Sequence, residues 1–169
     1  MALKADEKST FIRKELCYEL RCLLGAATVW RAFSITEAGF DVVVAMDSAC
    51  VHARCLFNFF TLEKGGNDVS VTEFGPAKYS SPVYDTWREP LNRHVLHIAK
   101  GRTTPSNVAS SGHLNGQVEA FGHEVLRLWD DLIKDPSADA FRADFQWARD
   151  EAVNHARNDA GTRTRPIFT

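Results

Sequence analysis

The sequence predicts an all-α protein: about five helices in one bundle, with an irregular crossover loop over residues 63–87. Three observations predict it. Apolar residues recur at three- and four-residue spacing in five separate stretches, the period of helices that each bury one stripe. Residues 69–72 (Val-Ser-Val-Thr) alternate briefly, but a strand that short has no evident partner. Capping and chain-breaking residues fall between the stretches.

The first helix is expected from about Ser9 to Phe33, with Ile12, Leu16, Leu20, Leu23, Leu24 and Ala27 as its stripe. Ser34 with Glu37 three residues later forms a capping box that starts a second helix, from about Ile35 to Leu62. Its stripe is Val42, Met46, Ala49, Ala53, Leu56, Phe57 and Phe60, and Gly65-Gly66 ends it. The crossover loop follows, pinned to the bundle by Phe74, Tyr79, Tyr84 and Trp87. Pro90 suits the first turn of a third helix, from about Glu89 to Lys100, with Gly101 as its cap. A fourth helix carries the cleanest stripe: Leu114, Val118, Phe121, Val125, Trp129 and Leu132. Asp135-Pro136 caps a fifth, which runs to about Asn158 and turns Phe141, Phe145, Ala148 and Ala152 inward. Trp147 projects away from that stripe, either toward a partner or as a rim residue. Residues 1–169 read as one domain with loose tails at 1–8 and 160–169.

The net charge of −2 gives no global argument for nucleic acid. Locally the charges segregate. Arg88, Arg93, Lys100 and Arg102 stand against Glu89 alone, with His94 and His97 between them, whereas from His113 to Asp159 acids outnumber bases two to one. A basic patch on an acidic body can collect phosphate; a solvated face paired with the acidic helices has the same composition. No apolar run approaches the ~20 residues that span a bilayer, and the polar N-terminus does not resemble a signal peptide. The expectation is a cytoplasmic protein without membrane contact. Cys17/Cys22 and Cys50/Cys55 are each five apart, which on a helix diverges by about 140°, so the four cysteines are expected as buried, inert thiols. His113, His123 and His155 show no metal-ligand spacing, and no phosphate loop, nucleophile elbow or zinc pattern occurs. No cofactor or metal is expected.

Two helical segments place His and Arg beside apolar stripes: residues 52–60 (His-Ala-Arg-Cys-Leu-Phe-Asn-Phe-Phe), and residues 91–97 (Leu-Asn-Arg-His-Val-Leu-His) with Arg102 beyond. At about 100° per residue, His52 and Phe59 share one flank of the second helix, while Arg54, Asp47 and Asn58 share the other. His52 and Arg54 therefore serve different neighbours. Arg54 is the better candidate for a polar site, with Asp47 two turns earlier as a charge partner; an ion pair with an acid of the fourth or fifth helix is the structural alternative. On the third helix Arg93 and His97 lie close enough to meet, and Asn92 falls on the opposite flank, about 100° from Leu91.

Together these segments resemble a family of small helical bacterial proteins of unassigned function. The pattern is His-Ala-Arg-x-Leu-x-x-Phe-Phe, then Asn-(Arg/Lys)-x-x-x-His-(Ile/Leu)-x-x-x-Arg, with Asp68 to Phe74 between; it covers about residues 38–102. More distantly the arrangement is similar to the HEPN superfamily of helical bundles, which the resemblance implies are often dimeric and include both ribonucleases and non-catalytic binding modules. The ribonuclease motif sets an Arg four to six intervening residues before a His. Before His97 that interval holds Asn92 but no arginine: Arg93 has three intervening residues and Arg88 has eight. The resemblance implies a homodimer and an RNA or nucleotide ligand. Its favoured form is a binding or regulatory module acting through Arg54, Asn92, Arg102, His52 and Asp47. The alternative is a metal-independent ribonuclease in which His97 moves protons and Arg93 stabilises charge. A purely structural scaffold is the third reading.

Overall fold

The computed structural model of the protein describes residues 3–32, 40–62, 68–96, 114 and 116–160. Among them are five helices and no strand. Helix α1 (residues 5–32) runs as an α-helix over Ala5–Phe11, a π-helical turn over Ile12–Leu16 and an α-helix over Cys17–Ala32. It begins four residues earlier than expected, so residues 5–8 are a first turn rather than part of a loose tail. The cause is a cap in which the Lys4 backbone N–H donates to Glu7 Oε2 at 2.7 Å. The π-helical turn also has a reason in the stripe. Ile12, Leu16, Leu20 and Leu24 are four apart, and on a regular helix each step drifts about 40°. A wider turn near the start offsets that drift, and all four are buried.

Helix α2 (Phe40–Thr61) turns Met46, Ala49, Ala53, Leu56, Phe57 and Phe60 into the core, as its period predicts. Val42's side chain, the Ser34/Glu37 box and Gly65-Gly66 lie outside the described residues. The crossover loop is shorter than expected. Residues 71–74 form a 3-10 turn, Val71–Phe74, and helix α3 (Pro82–Leu96) already starts at Pro82, so Tyr84 and Trp87 are helical. Pro82 occupies the first helical position and Ser81 is its cap, accepting from the Tyr84 N–H at 3.1 Å. Pro90, expected to open the helix, lies inside it. The end expected at Lys100 and Gly101 falls outside the described residues.

Helix α4 (Val118–Lys134) buries its whole expected stripe, with Leu114 just before it. Asp135 caps a 3-10 turn, Pro136–Phe141, by accepting from the Ser137 N–H, and helix α5 (Arg142–Ala160) continues from it. Phe145, Ala148 and Ala152 are buried as expected, while Phe141 is half-buried at the rim. Trp147 is 40% exposed and carries the Arg13 guanidinium over its ring at 4.9 Å, so it acts as a rim residue between α5 and α1.

The loop residues expected to act as pins do so. Phe74 packs against the rings of Phe11, Phe59, Phe141 and Phe145. Tyr79 meets the Phe60 ring, its N–H donates to the Phe60 carbonyl at 2.9 Å, and its hydroxyl donates to Asp135 at 3.2 Å. Between them, Gly75 has φ +118°, and a Cβ there would come within 2.1 Å of the Ser137 carbonyl oxygen. Only glycine combines that conformation with that approach. No helix among the described residues is long and apolar enough to cross a membrane.

The cap of α3 is tied to α4. Ser81 donates to Glu124 at 2.7 Å, and Arg127 donates to the same carboxylate at 2.8 Å. The Arg127 hydrogen bond, with help from Ser81, outweighs partial burial and holds the Glu124 carboxyl below the usual range. A depressed carboxyl contributes stability above its unfolded value of about 4.5 and loses it as pH falls through the folded value. We predict that Glu124→Gln lowers the denaturation midpoint at pH 7 and shows a shallower loss between about pH 5 and 3 than the parent. Parallel denaturant titrations at these pH values check this.

Candidate functional site

Helical geometry separates the two polar flanks of α2 as expected. On one flank, His52 Nδ1 donates to Glu19 of α1 at 2.8 Å, and Tyr18 approaches the imidazole edge-on at 5.7 Å between ring centroids. His52 is thus an α1–α2 contact. On the other flank Arg54 and Asn58 face α3. Arg54 Nε donates to Asn92 Oδ1 at 2.7 Å, so its partner is a neutral carboxamide on the third helix rather than an acid of the later helices. Asp47, on the same flank, is half-buried and partnered.

The helices run antiparallel here, so the pairing continues one turn further. Tyr84 donates its hydroxyl to Asn58 Oδ1 at 2.5 Å and stacks its ring on Phe57, with centroids 5.1 Å apart and planes 21° apart. Arg88 lies between Tyr84 and Asn92 on α3, its guanidinium carbon 5.9 Å from the Tyr84 ring centroid. Tyr84, Arg88 and Asn92 are four apart, so they form one gently rotating row. Burial raises the Tyr84 phenol; the Arg88 and Arg54 guanidiniums oppose the rise, and Asp85 adds slightly to it.

The sequence thus identified Arg54 and Asn92 as candidates, and the fold brings them together. It placed Asn58 on Arg54's flank, Arg88 in the basic patch and Tyr84 among the loop pins, but did not join the three to one site. The row at four-residue spacing was the available signal, but it is helical only if α3 starts at Pro82. The side chain of Arg93, and all of His97 and Arg102, lie outside the described residues.

The hydrogen-bonding inventory is lopsided. The two carboxamide oxygens accept from Arg54 and Tyr84. What the five side chains otherwise offer is chiefly donors: the five N–H groups of Arg88, the four that Arg54 has left, and two amide NH2 groups. Such a surface is complementary to an anion with several oxygen acceptors.

The thiols differ from expectation. Cys17 and Cys50 are buried, but Cys22 is half-buried and Cys55 is exposed. Cys55 lies on the outer face of α2, between the two polar flanks. Desolvation and the nearby Glu19 carboxylate push its thiol up, so exposure does not make it a ready nucleophile. Burial drives the Cys50 thiol up to about 12. His155 contacts Glu151 one turn before it at 3.1 Å. Among the described residues no group of three His, Cys, Asp or Glu side chains could hold a metal ion.

No protein-family model, curated protein or solved structure matches the chain. The site therefore stands on its own geometry.

The Arg54–Asn92 bond is half-exposed, which limits its worth. A hydrogen bond to a charged group contributes about 1 kcal/mol in such a setting. We predict that a double-mutant cycle of Arg54→Ala and Asn92→Ala, read by denaturant unfolding, gives a favourable coupling of about 1 kcal/mol. Additive losses would mean that the two side chains do not interact.

Proposed function

We propose that the protein is a HEPN-like helical-bundle binding module that takes an anionic, RNA- or nucleotide-like ligand at the basic edge between α2 and α3. The observation that carries this reading is Arg54, held across the helix interface by a neutral Asn92 at 2.7 Å and accompanied by Arg88 on the same edge. An arginine oriented by an amide retains its full charge toward solvent, whereas one oriented by a carboxylate is neutralised. Further support is the run of Arg93, Lys100 and Arg102 that continues the same strand of sequence, with His94 and His97 among them. A homodimer that sets two such edges side by side belongs to the same reading.

A second reading, a metal-independent ribonuclease, is favoured by one observation. Arg88 belongs to the cluster, and His94 follows it with five intervening residues, inside the four-to-six interval of the HEPN nuclease motif. In that arrangement Arg88, rather than Arg93, would stabilise developing phosphorane charge, and His94 or His97 would move protons.

Fluorescence anisotropy with a single-stranded RNA at 50 and 200 mM salt tests the first reading. Affinity is expected to fall with log salt at a slope of about −0.7 per phosphate neutralised, and Arg54→Ala to make the slope shallower by about that amount. Absence of binding at 50 mM salt contradicts the reading and leaves a structural scaffold. RNA cleavage in EDTA that disappears in His94→Ala and Arg88→Ala, with helical circular dichroism unchanged, would establish the nuclease instead.

A further inference from the structure

We infer that the Arg54–Asn58–Tyr84–Arg88–Asn92 cluster is a seat for a single phosphate monoester, the terminal phosphate of a nucleotide or of an RNA 5′ end. The inference rests on the reading of this edge as an anion-binding surface, and it names the group bound. Three features lead to it.

The first is compactness. On antiparallel α2 and α3, Asn58 pairs with Tyr84 at 2.5 Å and Arg54 with Asn92 at 2.7 Å, and Arg88 lies on α3 one turn from both Tyr84 and Asn92. Both guanidiniums lie close enough to the Tyr84 phenol to act on it electrostatically, Arg88 with its guanidinium carbon 5.9 Å from the ring centroid, so the two charges gather about one side chain rather than along an edge as a track of backbone phosphates requires. Two planar forks beside one phenol suit a phosphoryl oxygen set, which accepts bidentate bonds.

The second is the excess of donors. The carboxamide oxygens are already engaged by Arg54 Nε and by the Tyr84 hydroxyl. Each amide is thereby oriented, with its NH2 half as the donor end. A terminal phosphate at neutral pH carries about −1.5 to −2 charges and three free oxygens, against one charge for an internal phosphodiester. It is the nucleic-acid group with the greatest capacity for such a surface.

The third is rigidity beneath the cluster. Tyr84 is 2% exposed, its ring lies on the fully buried Phe57, and Phe57 packs on Phe121 of α4. The floor is thus part of the core. Arg54 and Asn92 are half-buried and Arg88 is exposed, which keeps the seat open to a ligand.

The test compares four probes on the purified full-length chain: a ten-nucleotide RNA with a 5′-phosphate, the same RNA with a 5′-hydroxyl, AMP and inorganic phosphate. The 5′-phosphorylated RNA is expected to bind about tenfold tighter than the 5′-hydroxyl RNA. That ratio should fall to about one in Arg88→Gln, whose exposed position leaves folding intact, and in Arg54→Lys, which keeps charge but loses the fork. AMP competing as well as the 5′-phosphorylated RNA assigns the seat to free nucleotides. Competition by the RNA alone assigns it to RNA ends. Equal affinity for the two RNAs overturns the inference while leaving an anion-binding edge. An absence of binding by any of the four overturns both. Equal competition by inorganic phosphate and AMP reduces the site to a simple anion site and overturns the nucleotide assignment.

Discussion

Tyr84 joins α3 to α2 at two levels, and the candidate site depends on that joint. Its ring lies on Phe57 in the core, while its hydroxyl reaches Asn58 on the polar flank one residue further along α2. Stacking fixes the separation of the helices and the hydrogen bond fixes their register. A slip of one residue would rotate each helix about 100° and take Asn92 away from Arg54. Burying an aromatic ring and satisfying its hydroxyl at the core's edge therefore does for α2 and α3 what a disulfide would do covalently.

The joint is itself anchored. Phe57 packs on Phe121, Phe60 on Trp129, and Trp129 on Phe145, so ring contacts run from α2 through α4 to α5. Trp129 also donates its indole N–H to the Phe145 carbonyl at 3.0 Å. Phe74 closes the circuit from the crossover loop, touching Phe59 on one side and Phe145 on the other. The loop thereby acts as a packed element, and the start of α3 at Ser81-Pro82 is held where Tyr84 meets Phe57. A rigid base of this kind is what a binding edge built from long side chains needs, because the cost of ordering the arginines is then not compounded by helix motion.

Much of the fold was legible because the apolar periodicities are clean. The stripes of α1, α2 and α4 are buried nearly residue for residue, and the angular separation of His52 from Arg54 held because it follows from helix geometry alone. What was misread was a choice between two prolines. Pro82 and Pro90 both suit a first helical turn, and the decision rests on Ser81, whose hydroxyl caps the helix and whose burial against Glu124 appears only in three dimensions. That one displacement hid the Tyr84–Arg88–Asn92 row. The π-helical turn of α1 and the exposure of Cys55 were likewise set by packing that no local pattern records. Arg54's flank was legible but its partner was not, because angles define a direction and tertiary structure supplies what lies there.

Arg54 bonds across the α2–α3 interface to Asn92, and the proposed seat requires that it share a ligand with Arg88. NMR of the arginine Nε–Hε groups tests it most directly. The expected result is a resolved Arg54 Hε signal that exchanges slowly with water, broadens in Asn92→Ala, and shifts together with the Arg88 signal when AMP is added. An Arg54 Hε averaged with the exposed arginines, unchanged by Asn92→Ala and by AMP, would contradict it.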